Sequence, residues 1–119
     1  MSKTSILITG ANGEMGHELI KTLHNNHNNI VAIDLNRLDD SIANYCSIKI
    51  IGNILDNDLI NQLNEKYMFT AIYHLAAVLS TKAELHPCLA HDVNVGGTLN
   101  LLNMAIKQSQ LQKKIIKFF

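Results

Sequence analysis

Ser5-Ile6-Leu7-Ile8-Thr9-Gly10-Ala11-Asn12-Gly13-Glu14-Met15-Gly16 is the stretch that decides the fold of this chain. A short apolar run, typical of a buried strand, breaks into a turn with glycines at positions 10, 13 and 16. Apolar residues then recur at the spacing of one helical face: Met15, Leu19, Ile20 and Leu23. Glycines between a strand and a helix let backbone N–H groups converge on one point, which predicts a site for an anion such as a dinucleotide diphosphate.

The glycine spacing is G-x-x-G-x-x-G, which is one residue wider at its first gap than the common dinucleotide fingerprint. A glycine motif alone is weak evidence, so its context matters. The apolar run Ile30–Ile33 ends in Asp34, about 20 residues further on, where the fingerprint expects an acid that binds the adenosine ribose. The alternative is an ordinary strand, turn and helix without a ligand.

Length and composition indicate one globular domain over residues 1–119. The chain has ten basic and ten acidic residues, and no apolar stretch approaches the ~20 residues of a membrane helix. We therefore expect no nucleic-acid or membrane partner and a cytoplasmic location. Cys46 and Cys88 lie far apart and are predicted to be reduced packing thiols. The six histidines show no recognisable metal-ligand spacing, so no metal site is predicted.

Further strands are predicted at 30–33, 47–51 and 71–75, and a fifth begins in the segment 113–119. Asp56 is a candidate N-cap for a helix reaching Met68, and Pro87 opens a long helix. Its packing face is predicted from residues at helical spacing: Leu89, Val93, Leu101, Leu102, Ala105 and Ile106. Alternating strands and helices predict an α/β fold with a doubly wound parallel sheet, the Rossmann-type architecture. His74 is expected to be a half-buried strand residue bonded to the backbone.

Four segments together resemble the extended short-chain dehydrogenases/reductases, the NAD-dependent epimerases and dehydratases. They are Thr9–Gly16, Asp34, His74–Ala77 and Asn94–Asn100. The segment 74–84, with Pro87 and Asp92-Val93-Asn94 after it, looks most like the L-threonine dehydrogenase branch.

The resemblance implies that NAD is the cofactor and assigns site residues. Those implied to bind the cofactor are Gly10, Asn12, Gly13, Met15, Gly16, Asp34, Asn53, Ile54, Leu75, Ala76 and Ala77. Ser80 is implied to lie near a substrate. Asn53 stands where the family usually has an acid beside the adenine, so the charge is lost and the hydrogen-bonding capacity is kept.

The family places a catalytic Ser or Thr after strand five and a Tyr-x-x-x-Lys pair on the next helix, and this chain reaches Phe119 first. We therefore expect the N-terminal, NAD-binding portion of such an oxidoreductase, catalytically incomplete and without a catalytic residue of its own. The alternative is a standalone nucleotide-binding module that regulates or partners another protein. The apolar ending Ile115–Phe119 favours the first interpretation and suggests an exposed surface through which the chain could oligomerise.

Overall fold

The computed structural model describes residues 4–77 and 80–119, with the backbone alone for residues 80–82. Its strands are β1 (Thr4–Thr9), β2 (Ile30–Asp34), β3 (Ile48–Ile51), β4 (Met68–His74) and β5 (Lys117–Phe118). Its α-helices are α1 (Glu14–Asn25), α2 (Asp40–Ala43), α3 (Asn57–Lys66), α4 (Ser80–Leu85), α5 (Pro87–His91) and α6 (Thr98–Gln112). A π-helical segment, Asp92–Gly97, joins α5 to α6.

The five strands form one parallel sheet in the order β3-β2-β1-β4-β5. β1 lies in the middle, where Leu7 pairs with Val31 on one side and with Ile72 on the other. The chain moves outward from β1 to β3 and then returns to β4 on the opposite side of β1. The carboxyl ends of β1 and β4 therefore flank the point where the strand order reverses, and such a point forms a ligand-binding crevice in this architecture.

Two apolar cores cover the two faces of the sheet. Ile20 and Leu23 of α1 pack on one face, and Leu63 of α3 and Leu101 of α6 pack on the other. Because both faces are covered, the central strands read as continuous apolar runs rather than as alternating patterns. The predicted Rossmann-type, doubly wound parallel sheet is confirmed.

The boundary between α3 and β4 differs from the prediction. The Asp56 carboxylate caps α3 as expected, by accepting from the backbone N–H groups of Asp58 and Leu59. The helix, however, ends at Lys66, and β4 begins at Met68 rather than at Ala71. Met68 and Phe69 pair with Thr4 and Ser5 of β1, and the buried side chain of Gln108 also accepts from the N–H of Phe69 at 3.1 Å. Both contacts are distant in sequence.

The packing face of the long helical region also differs from the prediction. Pro87 opens α5 as expected, but the π-helical segment inserts an extra residue per turn and shifts the face of α6. Leu101, Met104 and Ala105 are buried, whereas three residues predicted to pack are exposed: Leu89, Leu102 and Ile106. Met15, assigned to the apolar face of α1, is exposed as well.

Candidate dinucleotide-binding site

The glycine loop, defined here as residues 10–16, lies at the carboxyl end of β1 and is shaped by close backbone contacts. Gly10 has a φ of +67°, and a Cβ there would lie 2.6 Å from the backbone nitrogen of Ala76. A Cβ at Gly16 would lie 2.4 Å from the carbonyl oxygen of Ala11. Backbone contacts within the protein therefore require glycine at both positions, independently of any ligand.

Gly13 is less crowded than the other two glycines. Its φ of −69° and ψ of 166° suit any residue, and a Cβ would meet only the Gly10 carbonyl oxygen, at 3.3 Å. Gly13 is also the N-cap of α1, and no side chain caps that helix. The N–H groups of its first turn remain available to an anion, which the helix dipole also favours.

Asp34 ends β2 beside this loop, with both carboxylate oxygens fixed. Its Oδ2 accepts from the N–H of Asn12 and its Oδ1 from the N–H of Asn36, each at 3.0 Å. An ionised carboxylate has about four acceptor positions, so two remain for other donors. The carboxylate is thus oriented and can still accept hydrogen bonds from a diol such as a ribose.

The adenosine-side segment, defined here as residues 35–39, is tied to the glycine loop by side chains. The Asn12 amide donates to the Arg37 carbonyl at 2.7 Å, and its oxygen accepts from the N–H of Asp39 at 2.8 Å. The ring of His17 on α1 contacts the Gly13 carbonyl at 2.9 Å and the Asp39 carboxylate at 3.0 Å. The Asn12 side chain, predicted to line the diphosphate turn, is therefore engaged in holding this segment.

A depression of ≈ 310 Å³ lies beside Asp34, between the carboxyl ends of β2 and β3 and helix α2. Its charged lining residues are Asp34, Arg37, Asp40 and Lys49. The Arg37 guanidinium is paired with the Asp40 carboxylate at 2.9 Å. Arg37, the one arginine of the sequence, therefore already has an anionic partner at the surface.

A partly buried polar chain connects β1, β4 and α6. Thr9 is fully buried, and its Oγ1 accepts from the N–H groups of Leu75 and Ala76, at 3.1 and 3.2 Å. The same Oγ1 lies 2.8 Å from His74 Nδ1, and His74 Nε2 lies 2.9 Å from Thr98 Oγ1. The Thr98 hydroxyl donates to the Asn94 carbonyl, at 2.6 Å.

The directions of these bonds assign the protonation state of His74. Since the Thr98 proton goes to Asn94, its oxygen accepts from Nε2–H, and the Thr9 hydroxyl then donates to an unprotonated Nδ1. His74 is thus a neutral Nε2–H tautomer, and burial lowers the pKa of its imidazole. The prediction that backbone groups satisfy His74 is wrong, because two threonine side chains do so; a sequence pattern does not show that Thr98 lies nearby.

The other residues predicted to bind the cofactor or to lie near the substrate differ in burial and in their contacts. Leu75 and Ala76 are partly buried after β4, and Ala77 is exposed. Asn53 is exposed and its side chain accepts from the N–H of Leu55, whereas Ile54 is buried with its side chain against Gly97. Ser80 begins α4, but its side chain lies outside the described residues.

The spacing of the family's catalytic pair does occur once, at Tyr45 and Lys49. Tyr45 lies in a turn after α2, where its ring stacks on His24, and Lys49 is an exposed residue of β3. Because Tyr45 lies in a turn and Lys49 in a strand, these two residues do not share a helix, as the family's catalytic pair does. In the described parts of the chain, no three His, Cys, Asp or Glu side chains group as metal ligands, and no helix is long and apolar enough to cross a bilayer.

Comparisons with known proteins identify the family. The model of the NAD dependent epimerase/dehydratase family matches residues 6–117. An uncharacterized epimerase/dehydratase of Staphylococcus saprophyticus is 35% identical over 103 residues, which are 84% of this chain and 32% of that protein. The chain spans about a third of the length of the curated relatives it matches.

Two solved structures extend the comparison. A monomeric L-threonine 3-dehydrogenase from a metagenome, in its apo form, is 36% identical with a TM-score of 0.76, covering 87% of this chain and 33% of that one. UDP-glucose 4-epimerase from Brucella ovis, in complex with NAD, is 26% identical with a TM-score of 0.75, covering 93% and 33%. The matches confirm the family predicted from the sequence and, with it, NAD as the cofactor of that family.

Proposed function

This chain belongs to the NAD-dependent epimerase/dehydratase family, and from that premise we propose that it binds NAD or NADH at the carboxyl edge of its sheet. The diphosphate lies over the glycine loop, and its charge is stabilised by the uncapped first turn of α1. The adenosine ribose lies against Asp34. Leu75, Ala76 and Ala77 follow β4 along the nicotinamide half of the cofactor, with Met15, Asn53 and Ile54 as further predicted members of the site.

The observation that carries this proposal is the contrast among the three glycines. A side chain at Gly10 or Gly16 would overlap protein backbone, so those two glycines have a structural reason. Gly13 has an unstrained backbone, and its Cβ position is open apart from one contact at 3.3 Å. A glycine at that point, on the tip of an uncapped helix, is explained by close approach of a ligand.

The Asp34 carboxylate predicts that the chain binds NAD more tightly than NADP. Its carboxylate can accept from the ribose hydroxyls of NAD, but it would face the 2′-phosphate of NADP with like charge. Arg37 pairs with Asp40 at the surface, and this pair competes with any contact between Arg37 and the 2′-phosphate. We expect NAD to bind about tenfold or more tightly than NADP, and Asp34→Asn to narrow the difference. Titration calorimetry with both dinucleotides measures it, and equal affinities for wild type would contradict the assignment of Asp34.

We further propose that the chain is the NAD-binding portion of an oxidoreductase of the L-threonine dehydrogenase type. The 36% identity to an L-threonine 3-dehydrogenase, against 26% to a UDP-glucose 4-epimerase, supports that branch. The 119 residues contain no pair equivalent to the family's catalytic tyrosine and lysine on one helix, so we expect NAD binding without NADH formation from L-threonine. A standalone nucleotide-binding module is the second candidate, and it predicts the same binding without turnover, together with capture of a partner protein only when NAD is bound.

The test of cofactor binding uses Gly13→Val. The backbone at this position allows valine, so the fold should persist while the side chain occupies the diphosphate position. We expect wild type to bind NAD in titration calorimetry and Gly13→Val to lose at least about tenfold in affinity. Asn26→Ala, at the other end of α1, is the matched control and should bind as wild type does. Absence of heat with wild type, or unchanged binding by a folded Gly13→Val, would reject the proposal.

A further inference from the structure

We propose that His17 is a positioning residue of the dinucleotide site, which in its doubly protonated form clamps the adenosine-side segment against the glycine loop and makes NAD affinity depend on pH. The inference rests on the proposed function. It concerns a residue on α1 that the sequence motifs do not single out, and it adds a pH dependence to the same site.

The His17 ring lies between two hydrogen-bond acceptors. Nδ1 lies 2.9 Å from the carbonyl oxygen of Gly13, and Nε2 lies 3.0 Å from Oδ2 of Asp39. A carbonyl oxygen and an ionised carboxylate both accept hydrogen bonds and donate none. Only the imidazolium can donate to both acceptors at once. A neutral imidazole keeps one of the two bonds and turns a lone pair toward the other acceptor.

Asp39 is held in place for this interaction. Asn12 accepts from its backbone N–H at 2.8 Å, and the Asp39 carbonyl accepts from the first turn of α2. Other charges near the ring come from α1 and from the segment that faces it. On α1, Glu14, Glu18 and Lys21 lie within four residues of His17, and across from it Arg37 and Asp40 neutralise each other at 2.9 Å. Asp39 is thus the charged group that the ring contacts directly.

The clamp acts on the part of the site that binds the adenosine. Asp34 accepts from the N–H of Asn36, inside the segment that His17 and Asn12 hold. When His17 loses a proton, one of the bonds between α1, the glycine loop and this segment is lost. The orientation of Asp34 is then less restricted, and the ordering of the segment has to be supplied by ligand binding. NAD affinity should therefore be higher when His17 is protonated.

The experiment measures NAD affinity by calorimetry at about pH 5.5 and about pH 8.5, on either side of the range where histidine titrates. Four proteins are compared: wild type, His17→Ala, Asp39→Asn and His24→Ala. His24 lies in the last turn of the same helix, away from the glycine loop, and serves as the matched control. Circular dichroism establishes that each protein is folded at both pH values.

We expect wild type and His24→Ala to bind NAD about threefold to fivefold more tightly at the lower pH, the range that one partly exposed charged pair supports. His17→Ala should show the weaker affinity at both values. Asp39→Asn should lose the pH dependence but keep the tighter affinity, because its amide can donate to an unprotonated Nε2 while Nδ1–H still donates to Gly13. That rescue separates a clamp from simple attraction between an imidazolium and the diphosphate, which Asp39→Asn would leave dependent on pH.

The outcomes separate the two proposals. If wild type binds no NAD at either pH, the proposed function fails and this inference fails with it. If NAD binds with the same affinity at both values, if His17→Ala keeps the pH dependence, or if Asp39→Asn keeps it, the clamp is rejected while the proposed function stands.

Discussion

The glycine loop and the adenosine-side segment lie side by side at the carboxyl edge of the sheet, yet they are held by different forces. The glycine loop is fixed by backbone contact, with Cβ positions at Gly10 and Gly16 already occupied by neighbouring main-chain atoms. Leu38 of the adenosine-side segment is buried in an apolar core, and the rest of the segment is fixed by polar side chains, since Asn12 and His17 bond to Arg37 and Asp39. Leu35, Asn36 and Arg37 are themselves exposed.

This difference predicts which substitutions lower the stability of the whole fold and which affect only the site. Overlap with buried backbone cannot be relieved without moving β1, β4 or α1, so its cost falls on the whole fold. Hydrogen bonds at an exposed segment exchange with bonds to water, so each contributes little to global stability and acts mainly on local order. Substitutions in the two regions should therefore differ in size and in how far their effects extend.

The largest effect is expected from Gly16→Ala. The new Cβ would lie 2.4 Å from the carbonyl oxygen of Ala11, so α1 must move away from the loop that it packs against. Overpacking of this kind costs about 3 kcal/mol of the free energy of unfolding. Urea denaturation followed by circular dichroism measures the loss.

Gly13→Ala provides the control within the same loop. Its Cβ would meet one atom at 3.3 Å, and replacing glycine removes unfolded-state entropy, so the change in stability should stay within about 0.5 kcal/mol. Equal loss of stability in the two variants would show that backbone contact does not explain the glycine loop.

Protonation of His74 is predicted to have an intermediate effect on the free energy of unfolding. Its ring contacts are polar, like those of the adenosine-side segment, but they are partly buried. Burial lowers the pKa of His74 in the folded state below its unfolded value of about 6.5. The unfolded state therefore binds more protons below that pH. Stability is fully present above about pH 6.5 and falls as the pH decreases toward the folded pKa.

The substitution His74→Gln isolates the pH-dependent contribution of His74 to the free energy of unfolding. Glutamine can accept from Thr9 and donate to Thr98 without titrating, so its stability should fall less on acidification. The difference between the two proteins should be about 1 kcal/mol, the size of the Thr9 hydrogen bond that protonation of Nδ1 removes. Urea denaturation at about pH 7.5 and at about pH 5 compares them, and parallel losses would mean that His74 does not contribute.

The sequence predicts the parts of the fold that local chemistry determines. The apolar runs of β1 and β2, the glycine loop, Asp34 at the end of β2 and the Asp56 cap all follow from residues close together in the chain. The site-forming edge is also predictable, since parallel strands bring their carboxyl ends together. The fold therefore follows from sequence patterns, whereas the family and NAD as its cofactor come from the resemblance that four segments carry.

The rest depends on contacts between distant residues. β4 starts at Met68 because Met68 and Phe69 pair with Thr4 and Ser5 of β1, and Gln108 and Gln112 of α6 also bond the N–H and the carbonyl of Phe69. No window of sequence around Phe69 contains these contacts. The π-helical segment shifts the packing face of α6, and helical spacing in the sequence does not show that shift either. His17 and Thr98 were missed because their partners, Asp39 and His74, are about 20 or more residues away.

The smallest effect on stability is expected from Asn12→Ala, which removes the side chain joining the two regions. The alanine backbone can still donate its N–H to Asp34, but the bonds to the Arg37 carbonyl and from the Asp39 N–H are lost. Because these groups are exposed to water, the free energy of unfolding should fall by about 0.5 kcal/mol or less. The local consequence should be larger than the global one: amide hydrogen exchange should accelerate for residues 35–39 and stay unchanged in β1 and β4.

Asn36→Ala is the matched control, since it changes an exposed residue of the same segment and keeps the backbone N–H that donates to the Asp34 carboxylate. If Asn12→Ala accelerates exchange across β1 as well, the two regions are one cooperative unit, and the distinction between backbone contact and side-chain bonding does not hold.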